Sequence, residues 1–278
     1  MQHFVTAVFA LCAAAAWGSG DFTGGIVARR IGIFHSMLIP YFLSFIILVS
    51  TALLRREPFS GPADLMWGAL AGVLVMAGYG FLLNGFAHGR MGIVAPVSGV
   101  LATAIPVIFS AFTEGLPRGL KLMGFGLALV SIWMLSRPEK FGSRPEGLGL
   151  ALLAGAGFGG FFTALDQVGE NAVFWPLAAG RLTAFVLMVA FALSTRQSLI
   201  PRVPPLGLLA LLGLLDVGGN LFFLLAVQTG RLDVAAVLAS LYPAVTAILA
   251  WVITKEHMAR LQVIGAAVAV LAIALITI

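Results

Sequence analysis

The chain is a succession of apolar stretches, each close to the length of a bilayer crossing and separated by short polar or Pro/Gly punctuation. About 20 apolar residues span the hydrocarbon layer. The stretches fall near 4–27, 34–54, 63–87, 92–113, 119–136, 147–168, 172–193, 204–228, 232–254 and 259–277. Backbone amides in lipid must be satisfied within a segment or in a closed barrel, and runs this continuous lack the alternation of barrel strands. An all-α membrane protein with ten transmembrane helices is therefore expected. Charged residues make up 10% of the chain, against about a quarter in a soluble domain, too few to cover a water-facing surface.

Other classes lose support on the same page. The 16 Lys+Arg against 11 Asp+Glu give a net charge of +5, but the basic residues are scattered through connectors and form no patch for nucleic acid. One cysteine, Cys12, excludes an internal disulfide and a Cys-based cluster. His3, His35, His88 and His257 lie on different connectors without ligand spacing, so no metal and no cofactor are expected. Neither a P-loop nor a His-Glu-x-x-His string is present. The first stretch has no Lys or Arg before it and reads as a retained helix, not a signal peptide.

The longest hydrophilic stretch, Arg137 to Glu146, falls at the midpoint. Sliding the chain on itself by about 141 residues places Trp17-Gly18 on Phe158-Gly159, Gly89-Arg90 on Gly230-Arg231 and Gly124 on Gly265. With a one-residue gap, Ser98 meets Ser240 and Glu114 meets Glu256. The reading is a first five-helix repeat at 1–137, a linker at 138–146 and a second repeat at 147–278. An odd number of crossings makes the second copy enter from the opposite side, giving two inverted five-helix repeats. Secondary transporters built this way hold substrate near the midplane where the repeats meet. Lys and Arg are more frequent in the odd-numbered connectors, which places both termini outside by the positive-inside rule.

With Trp17-Gly18 and Phe158-Gly159, an acid closing the fourth and ninth helices (Thr113-Glu114-Gly115, Lys255-Glu256-His257) and a glycine-led helix after each acid, the chain resembles the EamA-type transporters of the drug/metabolite transporter superfamily over its whole length. The resemblance implies a small-molecule carrier, often an exporter of amino acids or other metabolites, with a cavity lined by helices 1, 3, 4, 6, 8 and 9. Two features depart from that pattern. The arginine often found in the second helix of each half appears only as Arg181, with Tyr41 at the matching place in the first half, and the turn acids lack a fuller Gly-Glu-Arg string.

Ionisable groups inside a membrane are costly enough to mark function, and Asp21, Arg181 and Asp216 are the three well inside spans. Asp21 follows Trp17 by four residues and shares its helix face, so a carboxylate and an aromatic wall could hold a substrate or take a proton. Its position near a helix end, followed by Arg29 and Arg30, is the competing reading. Asp216 precedes Asn220 by one turn. It either faces a cavity or forms a buried ion pair with Arg181 that fixes two helices, and a pair that opens in one state would do both. Tyr79, the repeat counterpart of Asn220, joins Asn84, Ser98, Phe158 and Tyr242 as candidate substrate contacts, with interhelical hydrogen bonding as the plain alternative. Pro243 beside Tyr242 frees a carbonyl and is expected to bend the ninth helix. Asp166, Glu170, Glu114 and Glu256 read as helix-end groups.

Gly18-Ser19-Gly20-Asp21 also matches the Gly-x-Gly-Asp string of intramembrane aspartyl proteases. Such chemistry needs a second carboxylate sharing a proton, and no Tyr-Asp partner is present, so an enzyme is not expected. A non-transporting scaffold would not need charges at the midplane. The function expected is secondary active transport, an exporter of neutral, zwitterionic or cationic metabolites such as amino acids. It would work by alternating access, with proton or exchange coupling through Asp21 or Asp216. The setting is a plasma or bacterial inner membrane, with lipid as surroundings and the chain as monomer or weak homodimer.

Overall fold

The computed structural model describes residues 2–88, 91–113, 115, 119–135, 148–169, 171–201, 204–253 and 260–277. Among them the regular elements are helical: α1 (Gln2–Ile31), α2 (Ile33–Leu54), α3 (Pro62–His88), α4 (Met91–Thr113), α5 (Gly119–Leu135), α6 (Leu148–Asp166), α7 (Phe174–Thr195), α8 (Leu206–Thr229), α9 (Leu232–Ala239), α10 (Tyr242–Ile253) and α11 (Arg260–Thr277). These match the ten apolar stretches to within a few residues, the ninth being divided into α9 and α10. Among the described residues six helices are long and apolar enough to cross a membrane: Phe4–Ala28, Ile33–Leu54, Pro62–Leu82, Gly149–Asp166, Phe174–Thr195 and Leu206–Thr229. Their outward faces carry apolar side chains such as Phe42, Leu70, Leu187 and Phe191, as lipid requires.

Local chemistry explains where the chain breaks. Between α1 and α2 a single residue turns the backbone, and it is Gly32 with φ +82°, a conformation open to a residue without Cβ. The break in the ninth stretch follows from Pro243, whose missing N–H leaves Ala239 without its i+4 donor. Helix α9 ends at Ala239, Ser240 and Leu241 carry the chain through a turn, and α10 restarts at Tyr242. The bend expected from the proline is thus a full interruption.

Helices of the first half pack mainly on helices of the second. Helix α1 lies on α8 and α3 on α6; α4 lies on α6 while α1 lies on α9 and α10; α2 meets α7 and α5 meets α11. Exchanging the halves turns this set of pairings into itself, as a pseudo-two-fold axis does. The largest buried cluster draws on both halves. Glycine brings the backbones together. Gly68 and Gly72 of α3 abut Pro176 and Gly180 of α7, and Gly155 and Gly159 of α6 abut Ser98, Leu101 and Ile105 of α4. Gly20 and Gly24, spaced the same way, make only ordinary side-chain contact with α8, and Gly89 lies outside the described residues.

Polar groups fasten one end of the bundle. Glu57, after α2, accepts the Val173 and Phe174 N–H groups at 3.1 and 3.0 Å, placing a carboxylate at the start of α7. Asp64 of α3 accepts the Gly169 N–H at 2.9 Å, and Gln228 of α8 donates to the Gly169 and Ala172 carbonyls. Arg231, ahead of α9, pairs with fully buried Asp233 at 2.9 Å and donates to the Gly115 carbonyl beyond α4 at 2.8 Å. Its sequence counterpart, Arg90, lies outside the described residues, as do Glu114, Glu170, Glu256, His257 and the linker at 138–146.

Candidate functional site

Where the halves meet, a cavity is lined by Trp17 and Asp21 from α1, Val75, Tyr79 and Leu82 from α3, and Ala102 from α4. Phe158, Phe161 and Phe162 come from α6, Arg181 from α7, Asp216 and Asn220 from α8, and Tyr242 from α10. Its volume is about 60 Å³. By that measure one water needs roughly 10–15 Å³, so the space holds a handful of waters or one compact organic group.

Its polar groups form two clusters. In the first, the Tyr79 hydroxyl donates to Asp21 Oδ1 at 2.9 Å, joining α3 to α1. In the second, Arg181 grips Asp216 through two nitrogens, Nε to Oδ2 at 2.6 Å and Nη2 to Oδ1 at 2.8 Å. Asn220 Nδ2 adds a bond to Asp216 Oδ1 at 3.1 Å. Beneath the pair the guanidinium lies 5.1 Å from the centre of the Tyr41 ring on α2, a cation–π contact. Tyr41 and Arg181 hold corresponding places in the two repeats, so the residue that departs from the family pattern instead seats the one that follows it.

Aromatic rings wall the space between these clusters. Trp17 packs against Phe161, Phe162 and Phe223 with centroids 5.6–6.0 Å apart, and Tyr79 meets Phe158 edge-on at 5.3 Å. Gly219 permits this on α8, since a Cβ there would collide with the Trp17 indole. Gly18 does the same on the other side of α1: a Cβ would lie 2.5 Å from the Tyr242 carbonyl oxygen. Its repeat counterpart, Gly159, abuts Ile105 of α4. Each half's aromatic-glycine pair therefore packs its glycine on the fourth helix of the other half.

Of the residues expected at a site, Trp17, Asp21, Tyr79, Phe158, Arg181, Asp216, Asn220 and Tyr242 line the one cavity. Asn84 and Ser98 do not. Asn84 is five residues past Tyr79, about 140° around the helix, and is exposed. Ser98 is buried where α4 meets Gly155 of α6, one turn short of Ala102. Both readings of Asp216 hold together, since the ion pair with Arg181 is itself part of the cavity wall. Phe161 and Phe162 escaped notice because phenylalanines do not stand out in an apolar helix; the signal was Phe162, which falls on Asp21 when the repeats are superposed. Asp216 is engaged by Arg181 and Asp21 by Tyr79, and these two cavity carboxylates do not share a proton in the way an aspartyl protease requires. Among the described residues no group of metal-ligating side chains occurs, and His35 directs both ring nitrogens at backbone carbonyls, Ile31 at 3.0 Å and Ser198 at 2.8 Å.

Comparison with known proteins places these features. No curated protein matches the sequence. One solved structure, described only as the crystal structure of a protein, shares the fold with a TM-score of 0.74 over 97% of this chain and 94% of its own, at 17% identity. The sequence profile described as the EamA-like transporter family matches twice, at residues 5–137 and 145–278. This multi-pass membrane protein, two EamA repeats around a shared cavity, belongs to the EamA-like transporter family of the drug/metabolite transporter superfamily, and not to a family of enzymes.

Proposed function

We propose that the chain is a secondary active transporter that exports small neutral, zwitterionic or cationic metabolites, amino acids among them, by alternating access through the cavity between its halves. All ten apolar stretches cross the membrane in this reading, the ninth as α9 and α10 together, and the two repeats run in opposite directions. Five apolar stretches per repeat and the exchange-related packing of α1 on α8 and α3 on α6 support that arrangement. The observation that carries the function is the cavity itself. It brings together charged, aromatic and hydrogen-bonding side chains from both halves in the interior of a lipid-embedded bundle, where such groups are costly unless used. Among the described residues Arg181 alone brings a cation to the cavity, already paired with Asp216, which makes it a poor host for phosphate esters, since these call for several basic groups.

Coupling is assigned to Asp21, whose carboxyl reaches the cavity and is held by a hydroxyl instead of a cation. A proton and a substrate would use it in turn. Counterflow into proteoliposomes tests the reading: a carrier gives saturable, trans-stimulated uptake of at least one member of an amino-acid and amine panel. Flux that rises linearly with concentration and ignores trans-substrate contradicts it.

A further inference from the structure

Resting on the carrier reading, and narrowing it, we infer that the cavity takes a monocationic amine without a carboxylate, its ammonium group set between Asp21 and the aromatic walls. Three independent features point there. Among the described residues the cavity wall carries two carboxylates and one guanidinium, so with the acids ionised these groups hold one negative charge in excess. Arg181 spends its charge on Asp216 at 2.6 and 2.8 Å and lies over Tyr41; a substrate carboxylate would have to compete with a bidentate ion pair.

The second feature is the balance of donors and acceptors. Asp21 has one hydrogen bond among the described residues, from Tyr79 to Oδ1, which leaves Oδ2 unengaged. Asn220, 2% exposed, bears a buried Oδ1 without a partner among the described residues, its amide nitrogen being turned to Asp216. Both vacant positions are acceptors, and an ammonium group brings only donors. A carboxylate oxygen left unpaired inside a lipid-embedded bundle is costly, so such a ligand gains from pairing with Asp21. The third feature is the wall: Trp17, Tyr79, Phe158 and Tyr242 present rings around the same space, and ring faces attract cations within about 6 Å.

Four probes of nearly equal size separate the classes: 2-phenylethylamine, its N-acetyl amide, 3-phenylpropionate and phenylalanine. Binding to the purified full chain in detergent is read by tryptophan fluorescence. The amine is expected to bind at least about 10-fold more tightly than the other three, and Asp21→Asn to weaken it by about 10- to 100-fold, the loss of a charge-assisted hydrogen bond. Phenylalanine or phenylpropionate binding as tightly as the amine overturns the inference, as does an Asp21→Asn protein that binds the amine like wild type. Should Asp21→Asn not fold, the wild-type ranking decides alone. Saturable counterflow of phenylalanine that the amine does not inhibit overturns the amine class and leaves the carrier standing, whereas the absence of saturable flux for all four overturns both.

Discussion

Removing one partner of the Arg181–Asp216 pair should cost far more than removing both. Asp216→Leu leaves a guanidinium 5% exposed, with only the Tyr41 ring at 5.1 Å facing its charge. Losing one member of a buried pair costs about 3–5 kcal/mol, whereas replacing both with apolar groups of similar volume is often neutral. The Tyr41 contact is present before and after the change and offsets none of this loss, and Asn220 gives up its bond to Asp216 Oδ1. A loss of about 3–5 kcal/mol, at roughly 2–4 °C per kcal/mol for a chain of this size, lowers the melting temperature by about 6–20 °C. Arg181→Met should fall in the same range, and the Arg181→Met/Asp216→Leu double variant should return to within a few degrees of wild type. Thermal unfolding in one detergent, followed by size-exclusion recovery, reads all four proteins. A double variant whose loss equals the sum of the singles would refute the coupling. Recovered stability without recovered counterflow would show that the pair serves transport as well as packing.

Three further outcomes follow from the same geometry. Asp21→Asn should abolish flux driven by a pH gradient while leaving the melting temperature within a few degrees; flux that persists removes Asp21 from coupling. Glu57→Ala deprives the start of α7 of its carboxylate acceptor and should cost about 1–2 kcal/mol, measured as faster proteolysis between α6 and α7, with Glu57→Gln in between. Gly18→Ala would put a methyl group 2.5 Å from the Tyr242 carbonyl oxygen and 2.6 Å from Val245 Cβ, so α1 and α10 must part. Loss of several degrees in melting temperature is expected, against little effect from Gly25→Ala, which meets open space.

Much of this architecture could be read from residue order, for physical reasons. Lipid forces backbone pairing into helices, so hydropathy alone set the spans, and the duplicated Trp17-Gly18 and Phe158-Gly159 pairs exposed the repeat. The Trp17 and Asp21 spacing placed both on one face, and both line the cavity. What order could not supply was the partner. Tyr79 bonds Asp21 across 58 residues, and Tyr41 seats Arg181 through the packing of α2 on α7; neither contact leaves a local pattern. Asn84 and Ser98 fall outside the cavity lining, and polar character in an apolar helix does not say which neighbour a residue faces. For Ser98 that neighbour is the glycine seam of α6.

The central claim is that the cavity between the halves opens to each side of the membrane in turn. With Cys12 replaced by serine, Leu82→Cys places a single thiol on the cavity wall, and a membrane-impermeant maleimide can be applied to either face of oriented proteoliposomes. Alternating access predicts labelling from both faces, slowed by the transported solute. Labelling from one face only, under every gradient and ligand tried, would contradict it.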